Sequence, residues 1–309
     1  MKLGVLLWPQ AATWGSFRDA AVAADTAGAD AIWTWDHLLS IVGPADQPIF
    51  EGWTALAGLA PVTHSARLGL LVAANTFRNP GLTAKLATTL DHVSDGRAIL
   101  GLGGAWFERE HDAFGLDFGT GFGERLDRLD EATLVLRRLL DGETVTHHGR
   151  FYDLRDAVCA PRPVQERLPI MIGGSGPQKT LRTTARYADQ WNMFGTLEAA
   201  REKIGILDER CREVGRDPGA IERTISKSII LRDDAADARA IFEAGMRHHG
   251  GDPSKVAVVL GPPADVAAEI RPYFDSGFGQ LVVALREPFD RETIDRLPEL
   301  RAALEGSTG

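Results

Sequence analysis

The chain has 309 residues, 44% hydrophobic and 25% charged, a length that suits two average domains or one large α/β domain of an ordinary globular protein. Its net charge of −9, with Lys and Arg scattered among acids, excludes the basic clusters of a nucleic-acid binder. The apolar start, Met1 to Trp8, is too short for a membrane span and is followed by no small-residue cleavage site. Cys159 and Cys211 lack metal or redox spacing, so free thiols in a reducing cytoplasm are expected.

Short apolar runs read as strands at about 2–8, 31–35, 67–75, 97–102, 169–173, 190–194, 224–231 and 280–285. Most are apolar at consecutive positions, as in a parallel sheet buried on both faces. Between them, Asn79-Pro80 places a capping residue and a first-turn proline ahead of a helix over 82–90. Residues 123–140 repeat Leu and Val at helical spacing; 201–214, 235–249 and 290–304 read similarly. Residues 141–168 break the rhythm, with Gly142, Gly149, Pro161 and Pro163 and no helical period, and read as an insertion with a small hairpin around His147–Leu154. About eight strand–helix repeats favour a closed (β/α)8 TIM barrel. It is expected as one domain over 1–309, with the insertion between the fourth helix and the fifth strand.

Barrels of this class carry their chemistry at the carboxyl ends of the strands. The residues placed there are Trp8; Trp35-Asp36-His37; Ala73-Ala74-Asn75; Gly103-Gly104-Ala105-Trp106; Gly173-Gly174-Ser175-Gly176; and Trp191-Asn192. Trp8, Trp35, Trp106 and Trp191 are four of seven tryptophans and read as walls for a planar ligand, although each alone would pass for a core residue. Asp36-His37 pairs an acid with a group that titrates near neutral pH, which suits proton transfer; a helix-cap pair is the alternative. The other seven histidines read as structural, His147-His148 and His248-His249 at exposed turns, and no three make a metal triad. Gly173 to Gly176, with Pro177 at a first helical turn, reads as a backbone phosphate cradle. It lacks the dinucleotide fingerprint and the ribose-binding acid, which disfavours nicotinamide.

Taken in order, Trp33-Thr-Trp-Asp-His37, Leu70-Leu-Val-Ala-Ala-Asn-Thr-Phe-Arg-Asn-Pro80, Thr89-Leu-Asp-His-Val-Ser-Asp-Gly-Arg97, Leu100-Gly-Leu-Gly-Gly-Ala-Trp106, Ile172-Gly-Gly-Ser-Gly176 and Ala185-Arg-Tyr-Ala-Asp189 resemble the bacterial luciferase-like monooxygenase superfamily, and its coenzyme F420-dependent branch in particular. The resemblance covers nearly the whole chain. It implies a (β/α)8 barrel holding a deazaflavin or flavin, with Asp36 against the ring, His37 on the substrate side, Ala74, Asn75, Gly104 and Ala105 along the ring and ribityl chain, and Gly173, Gly174, Ser175 and Gly176 at the phosphate. It also implies a non-proline cis peptide near Leu71-Val72, for which small Ala73 and Ala74 leave room. Sugar-phosphate dehydrogenases of the branch carry an acid where Trp106 stands here, which argues against that substrate.

Three functions follow. The first is an F420-dependent oxidoreductase transferring a hydride to or from a small organic substrate, with the protein supplying orientation, a dry pocket and a proton. The second is an FMN-dependent monooxygenase using reduced flavin and oxygen. The third is a cofactor-binding protein without turnover, in which Trp8, Trp35 and Trp106 close over the ring. No metal, nucleic acid or membrane partner is expected; a homodimer is left open.

Overall fold

The computed structural model describes residues 1–306. Parallel strands with intervening helices close into a (β/α)8 barrel, the class expected from the alternation of apolar runs and helical patterns. Chain contacts divide it into two compact units.

The first unit comprises, among the described residues, 1–67, 194–197 and 223–306. Its strands are Lys2–Leu7, Ala31–Thr34, Glu222–Leu231 (from residue 223 on), Val258–Gly261 and Gln280–Leu285. Lys2–Leu7 is central, in parallel register with Gln280–Leu285 on one side and Ala31–Thr34 on the other. Glu222–Leu231 then pairs with Gln280–Leu285 and Val258–Gly261. Leu3, Val5, Leu6, Ile32, Trp33, Ile225, Leu281 and Val283 are almost wholly buried, which is why these runs are apolar at consecutive positions. Helix Trp14–Thr26 starts at a capping box in which Thr13 and Ser16 satisfy each other's backbone N–H.

The second unit comprises residues 68–193 and 198–222. Ala98–Gly103 pairs in parallel with Arg67–Leu70 and with Ile170–Gly173, which pairs in turn with Gln190–Met193. Helix Pro80–Val93 begins where the Asn79-Pro80 signal puts it, and the Asn79 side chain accepts the Gly81 N–H. Phe122–Leu140 and Leu197–Glu213 are the long helices expected near those positions. The expected hairpin is present as antiparallel strands Val145–His148 and Asp153–Ala157. Glu131 clasps its turn: the carboxylate accepts the N–H groups of Arg150, Phe151 and Tyr152 and contacts His147 Nε2 at 3.2 Å.

Several expectations need correction. The third strand is broken. Arg67–Leu70 ends at the cis Leu71-Val72 peptide and pairing resumes only at Ala73–Ala74, so the cis bond falls where the resemblance put it. Val258–Gly261 and helices Trp14–Thr26, Gly52–Leu59 and Pro263–Asp275 are elements that the periodicity reading passes over. The expected 290–304 helix is two, Arg291–Asp295 and Leu297–Glu305, because Pro298 starts a new first turn. Pro177 lies in a turn rather than a first helical turn; the helix is Thr180–Tyr187.

Candidate active site

In the second unit, glycines in the strands make room for the broken third strand. A Cβ on Gly101 would stand 2.0 Å from the Leu70 carbonyl oxygen. One on Gly103 would meet Val72 Cγ2 at 2.6 Å, and one on Gly173 would meet Val72 Cγ1 at 2.8 Å. Val72 therefore rests on two bare glycines, and strand pairing resumes only at Ala73 and Ala74. The sequence suggested that glycine here lets a ligand approach. For Gly101, Gly103 and Gly173 the approaching group is this chain's own Leu70-Val72 segment.

Asn75 is buried, and its amide donates to the hydroxyl of Tyr152 at 3.0 Å. Tyr152 comes from the hairpin that Glu131 clasps, and burial pushes its phenol pKa up, partly offset by the Asn75 contact. The next residue, Thr76, contacts His111 Nε2 at 2.6 Å, while His111 Nδ1 donates to the Phe107 carbonyl at 2.9 Å. In the neutral ring this leaves Nε2 to accept from Thr76. His111 is wholly buried and structural, as expected, tying the end of the interrupted strand to helix Glu108–Phe114.

Gly104 is small for a packing reason, since its Cβ would lie 2.9 Å from Leu126 Cδ2. Ala105 has φ +59, a left-handed conformation that costs a non-glycine residue roughly 1 kcal/mol. Trp106, 60% exposed, projects beyond it.

The glycine cradle is built in layers. Gly174, at φ +112, donates its N–H to the Asn192 carbonyl at 3.0 Å and accepts Trp191 Nε1 at 2.7 Å on its own carbonyl. Trp191 is wholly buried, so it offers no face to a ligand: the expectation that it walls a substrate pocket is corrected, and it braces the cradle instead. The N–H groups of Ser175 and Gly176 carry no hydrogen bond among the described residues, and a Cβ on Gly176 would crowd Thr180 Oγ1 at 2.8 Å. Two backbone N–H donors just ahead of a helix start suit a phosphate. Lys179 is spent on Asp127 and the Gly123 carbonyl.

In the first unit, Trp35 and Asp36 are buried at the end of the second strand, and His37 is half-buried. Trp35 lies 3.8 Å from Trp8 between ring centres, tilted by 45°, and His37 meets Trp35 edge-on at 5.6 Å. The loop after His37 is anchored by Gln10, whose side chain donates to the Val42 carbonyl and to Gln47 and accepts the Ile41 N–H. Gln47 in turn donates to the His249 carbonyl. His249 was expected at an exposed turn but is wholly buried, 5.9 Å from the Trp8 ring, and burial lowers its pKa to about 4. His147 also departs from that expectation, held in the hairpin by Glu131. Sequence reasoning missed Tyr152, Glu131 and His249, whose roles arise only from contacts far along the chain.

Among the described residues no group of three or more His, Cys, Asp or Glu side chains could hold a metal ion, and no helix is long and apolar enough to cross a membrane. Both cysteines are free and buried.

The relatives that this chain resembles in sequence are dehydrogenases and reductases, and the chain is an oxidoreductase. The luciferase-like monooxygenase family profile matches residues 1–271, and the chain belongs to that family. It is 29% identical to the F420-dependent glucose-6-phosphate dehydrogenase of Kineococcus radiotolerans, over 91% of this chain and 90% of that one. It is 31% identical to the phthiodiolone/phenolphthiodiolone dimycocerosates ketoreductase of Mycobacterium tuberculosis, over 72% of this chain and 63% of that enzyme. Among solved structures, an F420-dependent secondary alcohol dehydrogenase in complex with an F420-acetone adduct superposes with a TM-score of 0.85 at 18% identity, covering 98% and 99% of the two chains. The monooxygenase RslO1 from Streptomyces bottropensis does so with a TM-score of 0.80 at 21% identity, covering 98% of each.

Proposed function

We propose that this chain is a coenzyme F420-dependent oxidoreductase of the cytoplasm acting on a small organic substrate, with 1–309 working as one luciferase-like domain. The observation that carries the reading is the 29% identity, along nine-tenths of both chains, to an enzyme named for F420 dependence. The monooxygenase likeness, at 21% identity, speaks to fold alone. The second unit fits the cofactor: Ser175 and Gly176 present unbonded N–H donors for a phosphate, and Ala74 and Asn75 stand at the end of the interrupted strand. When bound, F420 supplies C5 as hydride donor or acceptor.

The roles assigned are these. Gly173 to Gly176 hold the phosphate, with Gly174 shaping the turn and Ser175 and Gly176 donating. Ala74, Asn75, Gly104 and Ala105 line the ring and ribityl chain, and Tyr152 orients the Asn75 amide. Asp36 contacts the cofactor. His37 carries the proton that accompanies the hydride, its imidazole oriented by Trp35. Trp8, Trp35 and Trp106 wall the substrate. With Trp106 at the position where the resemblance implies an acid, glucose 6-phosphate is not the substrate assigned. Because Trp106 stays 60% exposed, the closed, non-catalytic reading loses support.

The test is anaerobic turnover. Reduced F420 mixed with the protein and a carbonyl or imine library under nitrogen should be oxidised as fast as under air. Oxygen uptake with reduced FMN, and none of this F420 chemistry, would sink the proposal in favour of a monooxygenase.

A further inference from the structure

We infer that Arg286 and Trp8 form a subsite for a substrate carboxylate. The inference rests on the oxidoreductase reading and names its substrate class: a small monocarboxylate. Arg286 directly follows the last strand, Gln280–Leu285. Its guanidinium lies over the face of Trp8, Cζ 3.9 Å from the ring centre, with the Phe242 ring 6.0 Å away. Its polar partner is the Ser228 hydroxyl at 3.2 Å, and its buried Nε has no acceptor.

No carboxylate pairs with this guanidinium among the described residues. Arg232, by contrast, grips Asp290 through two nitrogens, and Arg301 pairs with Asp30. The adjacent Glu287 does not fill the role; its own Oε2 is buried without a partner. A half-buried cation held over an aromatic face without a counter-ion is open to an anion. Burial draws its pKa down to about 10, which leaves it charged at neutral pH.

Trp8 Nε1, on the same ring, is a further donor buried without a hydrogen bond. The surface depression beside the guanidinium is lined by Ser228, Phe242, Ala284, Arg286 and Asp290, the last already held by Arg232. The shape of the donor names the class of anion: a planar guanidinium fork matches a planar carboxylate. Trp8 also contacts Trp35, which meets His37 edge-on, so the Arg286 subsite and the proposed proton carrier share one aromatic row.

Saturation-transfer NMR on the purified protein, with monocarboxylates from formate to benzoate each set against its amide, tests this without turnover. The parent should bind at least one acid ten-fold or more tightly than its amide and more tightly than inorganic phosphate. R286M should lose ten-fold or more of that affinity while R286K keeps part of it, and both should bind F420 like the parent, which shows that they fold. Equal binding of acid and amide, tighter binding of phosphate, no carboxylate binding by the folded parent, or an R286M variant that binds as the parent does would each overturn the subsite. Carboxylate binding by a protein that ignores F420 would leave the subsite standing and sink the cofactor assignment alone.

Discussion

Replacing Gly101 with alanine should damage this protein out of proportion to the one methyl group added. The new Cβ would sit 2.0 Å from the Leu70 carbonyl oxygen and 3.3 Å from Val72 Cγ1. Non-bonded carbon–oxygen contacts do not go much below 3 Å, so either the Ala98–Gly103 strand or its neighbour must move by about 1 Å. The obstructing atom is backbone in a paired strand and cannot swing aside as a side-chain end can. Overpacking of this kind costs typically 1–3 kcal/mol, and a backbone clash belongs at the upper end, about 3 kcal/mol. That is a large share of the roughly 5–15 kcal/mol available to a folded protein. Urea unfolding followed by circular dichroism measures it, with two internal controls. Gly104→Ala meets only Leu126 Cδ2, the end of a flexible side chain, and should cost about 1 kcal/mol. Gly205→Ala, in a helix with nothing within 4 Å, should stabilise by about 0.5–1 kcal/mol. A Gly101→Ala protein as stable as the parent would show that the interrupted strand does not depend on the bare one, and the account of these glycines would fail.

His37→Ala should lower turnover by about 10²–10⁴-fold and leave F420 affinity nearly intact, whereas Asp36→Ala should weaken F420 binding first; normal turnover by His37→Ala removes the proton-carrier role. Tyr152→Phe takes away the acceptor for the Asn75 amide and should cost about 1 kcal/mol of stability with a several-fold loss of F420 affinity; a fluorescence titration matching the parent would reject the positioning role. Gly174→Ala should cost about 1–2 kcal/mol as well as cofactor affinity, because φ +112 strains any side chain; unchanged unfolding midpoints contradict it. His249 has its folded pKa lowered by burial from the ordinary 6.5 to about 4. The unfolded chain therefore binds the proton more readily, and the stability that this supplies is present above pH 6.5 and lost as the pH falls toward 4, by up to about 3 kcal/mol. His249→Gln should flatten that part of the pH profile, and a profile of unchanged slope would assign the acid sensitivity elsewhere.

The strands were legible because burial on both faces writes them as unbroken apolar runs: Lys2–Leu7 and Gln280–Leu285 stand out without any partner in view. Asn79-Pro80 located a helix start by local chemistry alone. Val258–Gly261 was missed because half its residues are only partly buried, so its apolar signal is short and interrupted. The glycines were conspicuous, but their reasons were not. Gly103 and Gly173 answer to Val72, and Gly104 to Leu126, and such demands exist only once helices and strands are packed. Tyr152 reaches Asn75 across 77 residues, a contact no spacing rule describes. Trp191 and His249 each carried the right residue type for a ligand site or an exposed turn, and packing put both in the interior. Arg286 drew no notice, since its meaning lies in the counter-ion it lacks and every other arginine in the sequence looks the same.

The most direct test of the cofactor assignment is a binding titration of the purified protein with oxidised F420 and, separately, with FMN, each followed through the fluorescence of the added cofactor. The account predicts saturable 1:1 binding of F420, at least ten-fold tighter than FMN and weakened when Gly176 is replaced by valine. Tight binding of FMN by a protein that leaves F420 free in solution would contradict it.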